Sequence, residues 1–107
     1  MAIPVFSLRS ESGTGVGEFT DLIPLVDWSA KTGMKLIQVL PVNDTVATHT
    51  WVDSYPYAAI SVHALHPIYA NLQAIGSLRD AKLQKRIDSE RKKLNQLSDV
   101  DYEAVMN

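Results

Sequence analysis

An α/β fold is predicted for this chain of 107 residues, and three features of the sequence carry the prediction. Residues 3–8 and 35–42 are short apolar segments of the kind that form buried strands. Residues 18–32 lie between them and repeat apolar side chains every three or four positions, as an amphipathic helix does. A crossover of this length makes the two strands parallel, so a β-α-β unit is expected. The chain is well short of the roughly 250 residues of a complete eight-fold α/β barrel.

The first predicted strand, residues 3–8, is apolar and bounded by polar residues, with Pro4 tolerated near its start. Residues 9–17 follow with serine, glutamate, glycine and threonine in a run that no regular element favours. They are predicted to form a loop that ends where a helix begins, and three glycines permit unusual backbone angles there: Gly13, Gly15 and Gly17.

The predicted helix, residues 18–32, has an apolar stripe that should face the sheet. The stripe comprises Phe19, Leu22, Val26 and Ala30, widened by Ile23 and Leu25. Pro24 is compatible with this helix only in or near its first turn, and Gly33 supplies a left-handed stop.

Residues 35–42, Lys-Leu-Ile-Gln-Val-Leu-Pro-Val, are rich in branched side chains and predict the second strand. Residues 43–67 then form a long polar stretch that holds several aromatic side chains and three histidines. Loops of this length are usually either functional or disordered, and the aromatic content argues against disorder.

The last third of the chain is predicted to be helical. Residues 77–97 carry a thin apolar seam among many charges, with Ser77 and Asp80 near the start in an arrangement close to a capping box. Residues 101–106 open a further helix that has too little sequence to pack against. We therefore divide the chain into residues 1–76, a first β-α-β segment with its loop, and residues 77–107, a truncated helical insertion.

Composition excludes several classes of function. The formal net charge is −2, which indicates no surface for nucleic acid, and acidic residues interleave with the basic ones of residues 82–93. Cysteine is absent, so neither a disulfide framework nor a thiolate metal site exists. Apolar runs fall far short of the roughly 20 residues that span a bilayer, and the start does not resemble a secretory signal. A cytoplasmic protein without membrane contact is expected.

Two cofactor hypotheses are weakened by spacing. The glycine run of residues 13–17 lies between a strand and a helix, where a phosphate-binding loop would be, but it matches neither the dinucleotide pattern nor the P-loop ending. His63 and His66 are three positions apart, but His49 lies in another segment and His66 precedes a proline. Neither a nucleotide, a metal nor another cofactor is expected.

The loop after the second strand is the candidate site, because α/β barrels place active sites at the carboxyl ends of their strands. Sugar rings stack on aromatic side chains, while amide, carboxylate and hydroxyl groups bind sugar hydroxyls. The residues with these properties are Asn43, Trp51, Asp53, Ser54, Tyr55 and Tyr57. An aromatic plug that closes one end of a barrel remains the equal alternative on this pattern.

The carboxylates of this loop are not expected to catalyse glycosidic chemistry. Such chemistry needs two carboxyl groups held on separate strand ends across the scissile bond. Asp44 and Asp53 lie on one loop, where either could instead cap a turn or bind a substrate hydroxyl.

Three blocks, taken in order, resemble the first segments of amylomaltase-type 4-α-glucanotransferases. They are PVFSLRS leading to GVGEF (residues 4–10 and 15–19), IQVLPVNDT (residues 37–45) and DSYPY (residues 53–57). The resemblance extends over roughly residues 2–75. The segment of residues 48–51 and the charged helix of residues 77–97 are similar to the larger branch of the family, which carries starch-binding modules.

The resemblance implies the amino-terminal part of a (β/α)8 TIM-type barrel. It implies an enzyme that holds a glucanyl chain on an aspartate and passes it to another glucan's 4-hydroxyl, with retention of configuration. Tyr57 resembles the tyrosine that stacks beside the scissile sugar, and Asp53 and Ser54 resemble residues that shape the same wall. The family's catalytic carboxylates come from later strands, so no residue here is assigned a catalytic role.

The expected partners are maltooligosaccharides or another α-glucan. The chain alone is expected to be inactive, and its unpaired strand edges and uncovered apolar faces favour self-association. The alternative hypothesis is a non-catalytic carbohydrate-binding or interaction module that uses Trp51, Tyr55 and Tyr57 on a self-sufficient fold.

Overall fold

The computed structural model describes residues 1–107 and has one small parallel sheet, four α-helices and four 3₁₀ turns. The two strands are β1 (Ala2–Ile3) and β2 (Gln38–Val39). The α-helices are α1 (Leu22–Lys31), α2 (Leu72–Ile75), α3 (Ala81–Asn95) and α4 (Tyr102–Met106). Short 3₁₀ turns occur at Val5–Ser7, Phe19–Asp21, Trp51–Ser54 and Pro67–Tyr69. No helix combines the length and the apolar character needed to cross a bilayer.

The predicted parallel pairing of the two strands is confirmed, with Ala2 opposite Gln38 and Ile3 opposite Val39. The predicted length of the first strand, residues 3–8, is wrong. Pro4 has no N–H to donate to a ladder, and its carbonyl instead accepts from the Ser7 N–H at 3.2 Å and the Ser7 hydroxyl at 2.9 Å. The chain therefore turns at Val5–Ser7 instead of continuing the strand.

The second strand is also shorter than the predicted residues 35–42, because it can pair only where β1 offers partners. The Gln38 N–H donates to the Met1 carbonyl at 2.8 Å, and the Leu40 N–H donates to the Ile3 carbonyl at 3.1 Å. Beyond these bonds β1 has ended, so the flanking residues have no ladder to join.

The positions predicted for Pro24 and Gly33 relative to the first long helix are confirmed. Pro24 is the third residue of α1, where its missing N–H costs no helical bond, and Gly33 follows the helix at φ +80°. The predicted apolar stripe is only partly covered. Ile23 is 65% exposed and Val26 is 52% exposed, while Leu22 and Leu25 are half-buried. The small sheet is too short to cover the whole stripe.

Aspartates cap the two carboxyl-terminal helices. The Asp80 carboxylate accepts from the Lys82 N–H at 2.8 Å and the Leu83 N–H at 3.2 Å, so α3 begins later than the predicted residue 77. Asp101 caps α4 through the Ala104 N–H at 3.0 Å. The expectation that α4 would find nothing to pack against is wrong, because Tyr102 is only 6% exposed.

The core lies where the start of the chain, the glycine loop, the turn after His66 and α4 meet. Its buried members are Val5, Val16, Ile68, Tyr69 and Tyr102. Gly17 makes this meeting possible, since a Cβ at that position would lie 1.8 Å from the Val5 carbonyl oxygen. The core therefore joins residues from both ends of the chain.

Candidate functional site

A cavity of about 260 Å³ lies beside this core, and four of the six predicted binding residues line it. These four are Asn43, Trp51, Asp53 and Ser54. The rest of the lining is largely apolar and includes Phe6, Val16, Ile68, Tyr69, Val100 and Tyr102. The site thus has an apolar floor and a few polar groups on one side, as small-molecule sites commonly do.

Tyr55 and Tyr57, the other two predicted residues, do not line the cavity. Each side chain is 60% exposed, and the two rings pack against each other with 5.7 Å between the centroids and 50° between the planes. The two tyrosines flank Pro56 in sequence, and their rings form an exposed aromatic pair. Tyr57 as a stacking residue stays a prediction.

The buried Asp53 carboxylate organises the loop that precedes it. Its oxygens accept from the backbone N–H groups of Ala47 at 3.2 Å, Thr48 at 3.0 Å and His49 at 2.7 Å, and from the Thr48 hydroxyl at 2.9 Å. His49 adopts φ +57°, in the left-handed region that few residues other than glycine occupy. Groups of residues 47–49 thus take up the hydrogen-bonding positions of the Asp53 carboxylate.

These bonds also determine the ionisation of Asp53. Burial alone raises the pKa of a carboxyl group, but the hydrogen bonds from Thr48, Ala47 and His49 outweigh burial and hold the pKa of Asp53 below its usual 3.8. Its main-chain carbonyl also accepts from the Thr45 hydroxyl. Asp53 is therefore ionised, and its hydrogen bonds stabilise the cavity wall.

Asn43 and Asp44 hold the other side of the loop. Asn43 forms an isolated antiparallel bridge with Leu65, and its side-chain amide donates to the Val62 carbonyl at 3.1 Å. The Asp44 carboxylate accepts from the Val46 N–H at 2.9 Å. Both side chains thus hold the backbone of the loop in place, and neither Asp44 nor Asp53 projects a free carboxylate toward a partner acid.

No sequence pattern links His66 with Tyr102, yet the two side chains meet in the cavity wall. The Nε2 atom of His66 lies 2.9 Å from the Tyr102 hydroxyl, and Nδ1 accepts from the Ile68 N–H at 3.2 Å. Because Nδ1 accepts, Nε2 carries the hydrogen and donates to the hydroxyl. The available signals were local: a histidine before Pro67 and an aspartate before Tyr102 each mark the start of a helical turn.

Burial shifts the pKa of both partners toward the neutral form. Loss of hydration lowers the pKa of His66 below its usual 6.5, although the negative charges of Asp44 and Asp53 oppose the shift. Burial likewise raises the pKa of Tyr102, and the charge of Asp53 adds to this effect. A neutral histidine and a neutral tyrosine therefore share the hydrogen bond.

Glu18 is a second buried carboxylate, outside the cavity lining. It accepts from the Thr14 hydroxyl at 3.1 Å and from the side-chain amide of Asn71, which ties the glycine loop to the start of α2. A Cβ at Gly15 would lie 2.7 Å from the Leu94 carbonyl oxygen, so this loop packs closely on α3. A packed loop that ends at a carboxylate is poorly suited to bind phosphate.

The three histidines do not form a metal site. No group of three His, Asp or Glu side chains converges as metal ligands do. His66 already uses both ring nitrogens within the protein.

Comparison with known proteins gives a consistent result. The family model described as 4-alpha-glucanotransferase matches residues 3–107. A 4-alpha-glucanotransferase DPE2 of Oryza sativa subsp. japonica is 47% identical over 106 residues, which cover 99% of this chain and 11% of that relative. The 4-alpha-glucanotransferase of Chlamydia muridarum is 35% identical over 106 residues, 99% of this chain and 19% of the relative. This chain therefore spans between about a tenth and a fifth of the length of these relatives.

Proposed function

Because the chain belongs to the 4-α-glucanotransferase family, we propose that the protein transfers α-1,4-glucan segments between maltooligosaccharides by a retaining double displacement. The observation that carries this proposal is the family match over nearly all of the chain. The cavity supports it independently, since it combines an aromatic ring with amide and hydroxyl groups.

We assign these residues to substrate binding. Trp51 offers a partly exposed ring at the cavity mouth, and Asn43 and Ser54 bring polar groups to the same wall. Asp53 maintains the shape of that wall through its bonds to residues 47–49. Tyr57, beside Tyr55, offers an exposed ring on which a further sugar unit can stack.

The bond-breaking chemistry is proposed to come from carboxylates other than those of these residues. A retaining mechanism needs two carboxyl groups about 5–5.5 Å apart across the glycosidic bond. Asp44 and Asp53 are engaged with backbone N–H groups, and Glu18 is buried outside the cavity. No cofactor is needed for this chemistry.

We further propose that residues 1–76 form the first β-α-β segment of a (β/α)8 barrel and that residues 77–107 form a helical insertion. The parallel pairing of β1 with β2 and the uncovered apolar face of α1 support the barrel. The same exposed apolar side chains favour self-association of this chain in isolation. We also propose a cytoplasmic location. The proposed partner is an α-glucan, and neither nucleic acid nor a membrane is a proposed partner.

Incubation of the chain with maltotriose tests the assignment of roles. Transfer produces both glucose and longer maltodextrins, whereas hydrolysis only shortens chains. We expect no turnover but weak binding of maltoheptaose, seen as a change in Trp51 fluorescence in a Trp28→Phe background. Longer products would show that catalytic carboxylates lie among these residues. Binding that is abolished by Tyr57→Ala, together with failure of transfer in any longer protein, would favour the non-catalytic binding module.

A further inference from the structure

The backbone N–H of Trp51 donates to the Glu103 carboxylate at 2.8 Å, which joins residues 52 positions apart. Trp51 is the first residue of the 3₁₀ turn Trp51–Ser54, so its N–H has no partner within the turn. The next N–H groups are satisfied locally, since Val52 donates to the Thr50 hydroxyl and Asp53 to the Thr50 carbonyl. The remote carboxylate completes the cap.

The helix that presents Glu103 is itself held in place. Asp101 caps α4, and Tyr102, adjacent to Glu103, is buried with its hydroxyl against His66. The position of the Glu103 carboxylate is therefore set by the core, although its side chain is exposed. A negative charge at the start of a turn also complements the partial positive charge of the free N–H groups.

We infer that Glu103 is a positioning residue that holds the Trp51–Ser54 turn at the cavity mouth and thereby sets its affinity for α-glucan. This inference rests on the proposed function for its ligand, but the positioning itself is independent of any ligand. The turn carries Trp51, Asp53 and Ser54, which are three of the four predicted residues that line the cavity.

Hydrogen exchange of the Trp51 amide in the 107-residue chain measures the positioning directly. Glu103→Ala removes the acceptor and should speed exchange of this amide about tenfold, because a charge-assisted bond is lost. Glu103→Gln keeps an acceptor oxygen and should restore most of the protection. The Ala104 amide, which donates to Asp101, should exchange equally in all variants if α4 remains folded.

Titration with maltoheptaose measures the consequence for binding, followed by Trp51 fluorescence in the Trp28→Phe background. Glu103→Ala should weaken binding about three- to tenfold, and Glu103→Gln should stay within about twofold of the parent chain. Glu90→Ala is the matched control, because Glu90 is an acidic hydrogen-bond acceptor for Lys93 on α3, away from the cavity.

The outcomes separate this inference from the proposed function. Faster Trp51 exchange together with weaker maltoheptaose binding in Glu103→Ala, rescued in Glu103→Gln, supports it. Unchanged Trp51 exchange in Glu103→Ala overturns it, and so does faster exchange with unchanged affinity. Absence of maltoheptaose binding in the parent chain, with Trp51 exchange still dependent on Glu103, counts against the glucan assignment and leaves the positioning role supported.

Discussion

His66 and Tyr102, 36 positions apart, share a buried hydrogen bond of 2.9 Å between Nε2 and the phenolic oxygen. The bond joins the loop side of the cavity to α4, and each side chain also packs edge to face against the other, with ring centroids 5.8 Å apart. Both residues line the cavity, so its shape depends on a contact between distant parts of the chain.

Stability should fall on mild acidification because of His66. Its pKa is lowered in the folded chain by burial, so the unfolded chain binds a proton first as the pH falls. Stability is therefore fully present above the usual pKa of 6.5 and is lost as the pH falls through the lowered value. Thermal unfolding between pH 8 and pH 5 measures how the melting temperature depends on pH.

His66→Asn is the control for this titration, because asparagine can still accept from the Ile68 N–H but does not titrate in this range. We expect a lower melting temperature and a flatter pH dependence in that variant. An unchanged slope would mean that another group causes the loss of stability.

Tyr102→Phe should cost about 1–2 kcal/mol of unfolding free energy, because it leaves the buried Nε2–H of His66 without an acceptor. Urea unfolding measures this loss. Tyr57→Phe removes a hydroxyl from a 60%-exposed ring and should leave stability unchanged. Equal effects of the two substitutions would contradict the role of the His66 bond.

Asp53→Asn should destabilise the chain more than Asp44→Asn. The Asp53 carboxylate accepts from three consecutive residues, whereas Asp44 accepts from the Val46 N–H alone. An asparagine amide would also direct its own donors at those N–H groups. Chemical denaturation measures the unfolding free energy of both variants. A larger loss in Asp44→Asn would show that the conformation of residues 47–49 does not depend on Asp53.

The lowered pKa of Asp53 predicts a second loss of stability at lower pH. Its pKa is lowered in the folded chain, so its contribution is present above the usual 3.8 and is lost as the pH falls through the lowered value. In Asp53→Asn this low-pH step should disappear, while the His66 step, which lies below pH 6.5, should persist. Circular dichroism followed from pH 7 to pH 2 separates the two steps.

Two glycines should respond very differently to alanine. At Gly17 the new Cβ would lie 1.8 Å from the Val5 carbonyl oxygen, so we expect Gly17→Ala to prevent folding. At Gly33 nothing lies within 4 Å, and only the positive φ opposes alanine, at a cost of about 1–2 kcal/mol. Yield of folded protein and denaturation midpoints compare the variants, and a well-folded Gly17→Ala would contradict the close approach of the loop to Val5.

Local chemistry explains which parts of the fold could be predicted. Pro24, Gly33, Asp80 and Asp101 act through neighbours in sequence, so the helices they begin or end were recognisable. Strand lengths were overestimated because pairing depends on what the partner strand offers, and β1 ends at Ile3, immediately before Pro4.

The site was predictable only in part, because some of its contacts are local in sequence and others join distant residues. Asn43, Trp51, Asp53 and Ser54 share one loop and line the cavity, and their residue types were sufficient to select them as candidates. Their role in substrate binding stays a prediction. His66 joins Tyr102, and Trp51 joins Glu103, across 36 and 52 positions, and no local pattern encodes such pairs. Tyr57 lies on the same loop but does not line the cavity, and its residue type alone does not specify where its ring lies.

We propose that these residues supply part of the substrate wall of a 4-α-glucanotransferase. A chimera in which they replace the matching 106 residues of the rice relative, which is 47% identical, tests this role. With maltotriose as the substrate, we expect this chimera to release glucose and form longer maltodextrins, and a Trp51→Ala chimera to need more substrate for the same rate. A folded chimera that forms neither product, or whose rate is the same with and without Trp51→Ala, would contradict this role.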